Sequence, residues 1–459
     1  MGLNGLLGLA RDALAAQSFA LDVTGQNVAN VNTPGYVRRS AVLETRIAGN
    51  VSYGGVDATG IQRAVDQFAD ARVYDATGNA SSAQARDQQL GSVEGLFNDA
   101  NGTGLGSTIS ALFGSFSALS ASPTDATARA NVLQRADDFA SRLRDTTASI
   151  QTQRQDELSQ ASDVATQATS LASQIAKLNE QISAAVNAGG DASDLKDKQG
   201  NLVGQLSKLV DVHTFTDGQG QLVVRAAGAT LVEGNTAGSL SVTTDASGSM
   251  RLMMQRSSGT PVDLTDHLTG GQLAGLKEAR DTDSVAVLGQ LDQLASDVGN
   301  AINAQHAAGF GTDGVNGRPL FSGTGSAATI ALDANMVGHP ERVAASSTAA
   351  GLPGGSDNAT ALAGLANAKI VAGGTVTAAD AYANIVGDVG QRKAQAAQDV
   401  EVRGAMQTQA ETLQSSQEGV SVDEEMINLT KYQRAYEAAS KLVSTADQLL
   451  TELMSEVGK

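Results

Sequence analysis

The chain has 459 residues with 31 Lys plus Arg against 49 Asp plus Glu, a net charge of −18. That length allows roughly two to four domains, and the acidity repels nucleic acid and anionic lipid, so neither nucleic acid nor a membrane is an expected partner. Cysteine is absent, which excludes disulfides and thiolate metal sites, and with aromatics at 3% and no tryptophan, small residues and long helices must carry the packing.

In chain order, the first element is a heptad helix within Met1–Tyr36. Leu3, Leu7, Ala10, Leu14, Gln17, Leu21, Thr24, Val28 and Val31 step by alternating fours and threes, with Leu7, Leu14, Leu21 and Val28 as the stronger seam. The run stops at Asn30-Val31-Asn32-Thr33-Pro34-Gly35-Tyr36, because proline excludes the α region for its predecessor and glycine permits a sharp exit. At about 1.5 Å per residue this is a rod of roughly 43 Å. The start has neither a basic region nor a block of seven apolar residues, so no cleavable signal peptide is expected. Leucine at position 6 rules out myristoylation of Gly2, and no window reaches the length of a membrane-spanning helix.

Residues 37–90 read as an extended or β linker region, with a helical stretch from about Val65 to Leu90. Residues 91–211 and 269–420 read as one long-helix domain. Its centre is a very regular pattern from Leu133 through Leu143, Ile150, Val164, Ile175 and Ile182 to Ala185, one helix or two nearly collinear ones on the order of 80 Å long. Arg154 and Glu157 interrupt that pattern and mark the expected break or solvated tip. A shorter helix returns over Ser193 to Leu209. Residues 212–268 form a small antiparallel β region, with short apolar runs separated by Asp-Gly, Ala-Gly and Ser-Gly turns. Helical period resumes from Leu273 to His306, residues 320–375 give only short elements, and a helix follows over Ala378–Ser416.

The chain closes on a second heptad helix, in which Val422, Leu429, Tyr436, Val443, Leu450 and Val457 recur every seven residues. Ser421-Val422-Asp423-Glu424 reads as a capping box. Two narrow-seamed helices at the two ends predict a chain that folds back on itself. Residues 1–36 and 421–459 then make a terminal coiled-coil pair, and the fold class is mainly α with a smaller β region in an elongated multi-domain subunit with long antiparallel helices. A narrow seam buries too little to hold an isolated hairpin, so further partners must cover the rest.

The residues offer no catalytic chemistry. The histidines at 213, 267, 306 and 339 lack metal-ligand spacing. Gly309-Phe310-Gly311-Thr312-Asp313-Gly314 fits G-x-G-x-x-G but follows a helix, which is the wrong context for dinucleotide binding and reads as a turn. Asp423-Glu424-Glu425 lies in a first helical turn, where negative charge offsets the helix dipole. No enzyme, no metal and no cofactor is expected.

The stretch Leu21–Arg38, with Asn-Val-Ala-Asn-Val-Asn-Thr-Pro-Gly-Tyr, resembles the N-terminal signature of the bacterial flagellar axial proteins, and Val420–Leu450 resembles their C-terminal signature. Interior segments narrow the resemblance to the hook-associated protein 1 family: Phe116–Ala136, Ile175–Ile182, Gly270–Asp281, and Asn303–Gly309 through Phe321. The resemblance implies a structural subunit forming a ring between hook and filament and needed for filament assembly. It implies export through the flagellar type III apparatus without a cleaved signal and an extracellular location. The implied partners are further copies of the chain, the hook protein, the second hook–filament junction protein and an export chaperone. Leu3, Leu7, Leu14, Leu21, Val28, Val31, Val422, Leu429, Tyr436, Val443, Leu450 and Val457 would be the subunit-assembly seam, and Asn30, Asn32, Pro34, Gly35 and Tyr36 the joint to the outer body. Around Asp197-Lys198-Gln199-Gly200 the family tends to carry Arg-Asp after the lysine, so a local salt bridge is expected to be missing. A hook or distal rod protein is the alternative within the class; a helical surface adhesin or a hydrolase fused to an axial protein is the alternative outside it.

Overall fold

The computed structural model describes residues 3–48, 51–98, 104–256 and 259–457. Helix α1 covers Leu3–Ala29 and leads through a tight turn into the antiparallel ribbon β1 (Arg39–Ala48) and β2 (Val51–Arg63). Helices α2 (Gln67–Leu96), α3 (Leu105–Ala121), α4 (Ala126–Asn187) and α5 (Ser193–Leu209) follow. Their starts are set locally. Asp66 accepts hydrogen bonds from the Phe68 and Ala69 amides at the head of α2, and Asp125 from that of Thr127 at the head of α4.

The β region holds two antiparallel meanders. The first is β3 (Val212–Thr216), β4 (Leu222–Ala226), β5 (Ala229–Glu233) and β6 (Thr236–Ala237); the second is β7 (Ser239–Thr244), β8 (Met250–Gln255) and β9 (Val262–Asp263). Then come α6 (Gly271–Glu278), a π-helical turn (Ala279–Asp283) and α7 (Ser284–Ala308). The two-residue strands β10 (Phe321–Ser322) and β11 (Ala331–Leu332) pair, and α8 (Asp357–Gly364) precedes the long α9 (Ala378–Glu418) and α10 (Val422–Val457).

Two apolar cores hold the body. The first gathers α3, the leading part of α4, α7, α8 and the leading part of α9, with Phe139 and Phe321 meeting edge-on at 5.9 Å between ring centroids. The second packs the Ala-rich trailing part of α4 (Ala161, Val164, Ala168, Ile175) against α5, α6 and the strands, through Val224, Leu231, Leu252 and Met254. The linker region expected over 37–90 contains both the ribbon and α2, and α2 runs along α9 and α6.

Two local expectations need correction. The central pattern is one continuous helix of 62 residues, and Arg154 and Glu157 neither break it nor reach solvent as a tip. Glu157 is buried and Arg154 is bonded to the π-helical turn, so inward polar partners replace the expected apolar period. The stretch from Leu273 to His306 is likewise divided by that turn, whose widened backbone leaves the Arg280 carbonyl to accept a hydrogen bond from Arg154 Nε at 3.1 Å.

Helix α6 approaches α2 closely at Gly275. A Cβ at this position would lie 2.1 Å from the Ser82 carbonyl oxygen and 2.9 Å from the Ala85 Cβ, so only glycine fits. Replacing Gly275 with valine therefore overpacks this contact and is expected to lower unfolding stability by about 1–3 kcal/mol, measurable by urea denaturation. An unchanged midpoint would refute the close packing.

Candidate functional site: the paired terminal helices and their joint

Helices α1 and α10 lie antiparallel. Asn27 near the end of α1 bonds Glu425 at the start of α10, and Leu14 borders the same shallow cleft as Val443, Asp447 and Thr451. The contact line differs from the large-residue seam. On α1 the buried side chains are Ala10, Ala16, Ala20, Val23, Thr24 and Asn27; on α10 they are Glu425, Ala439 and Ala446. Leu7, Leu14, Leu21, Val28 and Val31 are half-buried beside that line, as are Leu429, Val443 and Leu450, while Val422 and Tyr436 are exposed. The Leu3 and Val457 side chains lie outside the described residues.

The burial of α1 is shared between α10 and the ribbon, whose Arg46 pairs with Asp12 at 2.7 Å; on α10 the buried positions are small or polar and the large residues lie beside them. Burying an alanine methyl contributes about 0.8 kcal/mol, against about 1.5–3 kcal/mol for a leucine, so the pair alone is held weakly along its length. Helical geometry puts Val422, Met426, Tyr436 and Met454 on one side of the α10 contact line and Leu442, Leu449 and Leu453 on the other. All seven are exposed, Met454 to 74%. The leucine flank escaped the sequence reading. Its spacing of seven between Leu442 and Leu449 was a readable signal, hidden by the unbroken series one residue away.

The joint is polar and densely bonded. Asn27 is 1% exposed and uses its whole amide: Nδ2 donates to the Arg39 carbonyl at 2.7 Å and to Glu425 Oε2 at 3.0 Å. Its Oδ1 accepts from the Tyr36 hydroxyl at 2.9 Å and the Arg39 amide at 3.1 Å. Arg38 pairs with Glu425 at 2.7 Å and Glu424 at 3.1 Å. Glu424 and Glu425, read from sequence as complements to the helix dipole, are therefore arginine partners, and Glu425 is buried.

The remaining joint residues set the chain path. Asn30 Nδ2 donates to the Gln26 carbonyl and Asn30 Oδ1 accepts from Thr33, which closes the end of α1; Asn32 is exposed. Gly35 has φ 74°, and a Cβ there would stand 2.0 Å from Asn201 Oδ1, while Asn201 donates to the Pro34 carbonyl at 3.4 Å. Tyr36 carries the Arg39 guanidinium 4.7 Å above its ring. Arg39 is buried and pairs with Asp194 at 2.7 Å and Asp197 at 2.5 Å, and Asp197 also accepts from Arg63. Asp197 thus takes two arginines and ties α5 to the ribbon.

Glu418, at the end of α9, completes the joint. Its carbonyl accepts from the Arg38 amide at 2.8 Å and its carboxylate from the Asp66 amide at 2.6 Å. Burial, together with the charge of Asp70, pushes its pKa up to about 7. No residue of either apolar core comes from α1, the ribbon or α10. Among the described residues, the bonds that tie this joint to α5, α9 and the start of α2 are polar.

Comparison with known proteins agrees with this arrangement. Residues 90–321 match the family described as flagellar hook-associated protein FlgK helical domain.

The chain belongs to the flagellar hook-associated protein FlgK family.

Residues 7–36 also match the family described as flagella basal body rod protein, and residues 413–456 the one described as flagellar basal body rod FlgEFG protein C-terminal. These two matches fall on the paired helices. The chain is 26% identical to flagellar hook-associated protein 1 of Salmonella typhimurium over 554 residues, covering 99% of this chain and 100% of that protein. It is 26% identical to the protein of that name from Bacillus subtilis over 499 residues, covering 98% of each. Both alignments exceed the 459 residues of this chain, so these relatives of the FlgK family carry segments without a counterpart here. The flagellar hook junction protein FlgK from Burkholderia pseudomallei has the same fold, with a TM-score of 0.67 at 18% identity, over 75% of this chain and 100% of that one.

Two outcomes test the joint. Asn27→Ala removes the partner of Glu425 Oε2, the Tyr36 hydroxyl and the Arg39 amide, at a cost of about 1–3 kcal/mol; amide exchange over 24–27 and 425–429 is expected to accelerate accordingly. Because folding raises the Glu418 pKa, its contribution is full below the ordinary carboxylate range and is lost as pH rises through about 7. Protection of the Arg38 and Asp66 amides, corrected for intrinsic exchange rates, should therefore fall from pH 6 to pH 8, and Glu418→Gln should abolish that fall.

Proposed function

We propose that this chain is a structural subunit of the bacterial flagellum that forms the junction ring between hook and filament and is needed for filament assembly. The observation that carries this reading is the terminal pair itself: two helices in contact through small residues, oriented by one polar joint, with leucines and methionines left open on both flanks of α10. An apolar surface of this kind is stable in water only when neighbours cover it. The neighbours in this reading are further copies of the chain, the hook protein on one side and the second junction protein on the other, with an export chaperone before assembly. Leu7, Leu14, Leu21 and Val28 with Leu429, Val443 and Leu450 would form one covered seam, and Leu442, Leu449 and Leu453 another.

Export through the flagellar type III channel to the cell exterior belongs to the same reading. Among the described residues no helix is long and apolar enough to cross a membrane. The work of the chain in this reading is mechanical and not catalytic. His306, the one buried histidine, is used in the fold: its ring nitrogens bond the Arg318 carbonyl at 2.8 Å and the Ala344 amide at 3.1 Å.

Deletion in a flagellated cell should leave a hook without a filament. Leu449→Glu combined with Leu453→Glu should abolish filament growth while leaving the unfolding midpoint of the free chain unchanged, since both side chains are exposed. Normal filaments in that double variant would refute the assembly surface. In the free chain, exchange protection should decline from the joint towards the free ends of α1 and α10; full protection over 7–28 and 422–450 would contradict it.

A further inference from the structure

The two apolar cores are separated by a charged layer that crosses the whole body. On α4 the first core ends at Ile150 and the second begins at Ala161; on α2 they change over between Ala85 and Val93, and across the π-helical turn between Leu276 and Val287. Buried Leu90 and Ala279 lie at this level outside both cores, and the bonds across it are charged. Arg86 of α2 binds Asp283 through two bonds of 2.8 and 3.0 Å, and Arg392 of α9 reaches the same carboxylate at 3.1 Å. Lys393 of α9 pairs with Asp87 of α2 at 2.5 Å. Arg154 and Arg280 exchange bonds with each other's carbonyl oxygens at 3.1 and 3.0 Å, so the long helix and the π-helical turn are laced together through side chains.

Glu157 lies inside this layer. It is 0% exposed; Oε1 accepts from Gln153 at 3.2 Å, while Oε2 is buried and has no hydrogen-bond partner among the described residues. The charges acting on it are Arg154 of its own helix and Arg280 and Asp281 of the turn. On α2, Gln89 offers only a carbonyl to Gln153, and Arg86 and Asp87 are committed to Asp283 and Lys393. Lys277 and Glu278 of α6 are partly exposed.

We propose that this layer is the flexure of the outer body: the two apolar cores act as separate rigid blocks that bend relative to one another there, and the proton on Glu157 sets how firmly the layer stays closed. Apolar cores are close-packed and resist deformation, whereas a layer of charged hydrogen bonds exchanges readily for water once opened. A π-helical turn sits at the same level, so the backbone on one side of the flexure already departs from the regular helix. Burial pushes the Glu157 pKa up to about 7. The folded layer therefore takes up a proton, and its contribution, full below the ordinary carboxylate range, is lost as pH rises through about 7. Ionised, Glu157 is a buried charge with one oxygen unmatched, and opening to water relieves it.

Hydrogen exchange by mass spectrometry on the full chain, corrected for intrinsic rates, tests this at pH 6 and pH 8. The expected result is faster opening over 150–161 than over 133–147 or 164–182 at both values, with protection over 150–161 falling about tenfold from pH 6 to pH 8. Glu157→Gln should keep the local opening and erase the pH step; Glu157→Leu should raise protection over 150–161 towards that of its flanks. Protection as high over 150–161 as on either side in the unsubstituted chain overturns the flexure. A pH step that persists in Glu157→Gln overturns the role of its proton. Both tests are made on the free chain, so they can fail without affecting the assembly reading.

Discussion

The saturated amide of Asn27 is the interaction on which the rest of the arrangement depends. One side chain at the end of α1 holds the start of α10 through Glu425, the turn through Tyr36 and the ribbon through both backbone groups of Arg39. A buried amide with four partners tolerates one geometry, since each displaced partner leaves a desolvated polar group. That fixes the direction in which the terminal helices leave the body. Arg38, Arg39 and Glu418 then spread the constraint to α10, α5 and α2.

A polar joint combined with a small-residue contact has a physical consequence. The direction of the terminal pair is specified by hydrogen bonds, while its apolar free energy is withheld from the intramolecular contact and remains on the flanks. On α10 the buried side chains of this stretch are the small Ala439 and Ala446, while α1 buries Ala10, Ala16 and Ala20 between α10 and the ribbon; the exposed leucines and methionines of α10 remain to be covered by neighbours. Had the leucines formed the internal line, the pair would be a stable closed hairpin with little left to drive polymerisation. In the body the division is reversed: the large apolar side chains are internal and the polar layer runs between two blocks.

Much of the fold was legible because period and punctuation are local properties. The helix α5 bounds, the meanders between Asp-Gly and Ser-Gly turns and the stop at Pro34-Gly35 all follow from nearby residues. The burial of Ala439 and Ala446 on α10 was not legible, because the large apolar residues beside them carry the stronger periodic signal. Asn27, Glu425 and Glu157 were illegible for a different reason. Their partners are distant in sequence or lie in an irregular turn, and a charged residue in a helix reads as solvated unless its partner is known. The π-helical turn at Ala279–Asp283 likewise arises from tertiary bonds to α4 and leaves no local signature.

The central claim is that the flanks of the terminal pair are covered by neighbouring subunits. The chain lacks cysteine, so single cysteines at Leu449 and at Met454 can be followed by maleimide labelling in the free chain and in isolated hook–filament junctions. The account predicts rapid labelling at both positions in the free chain and protection at both after assembly. Labelling in the junction as fast as in the free chain would contradict it.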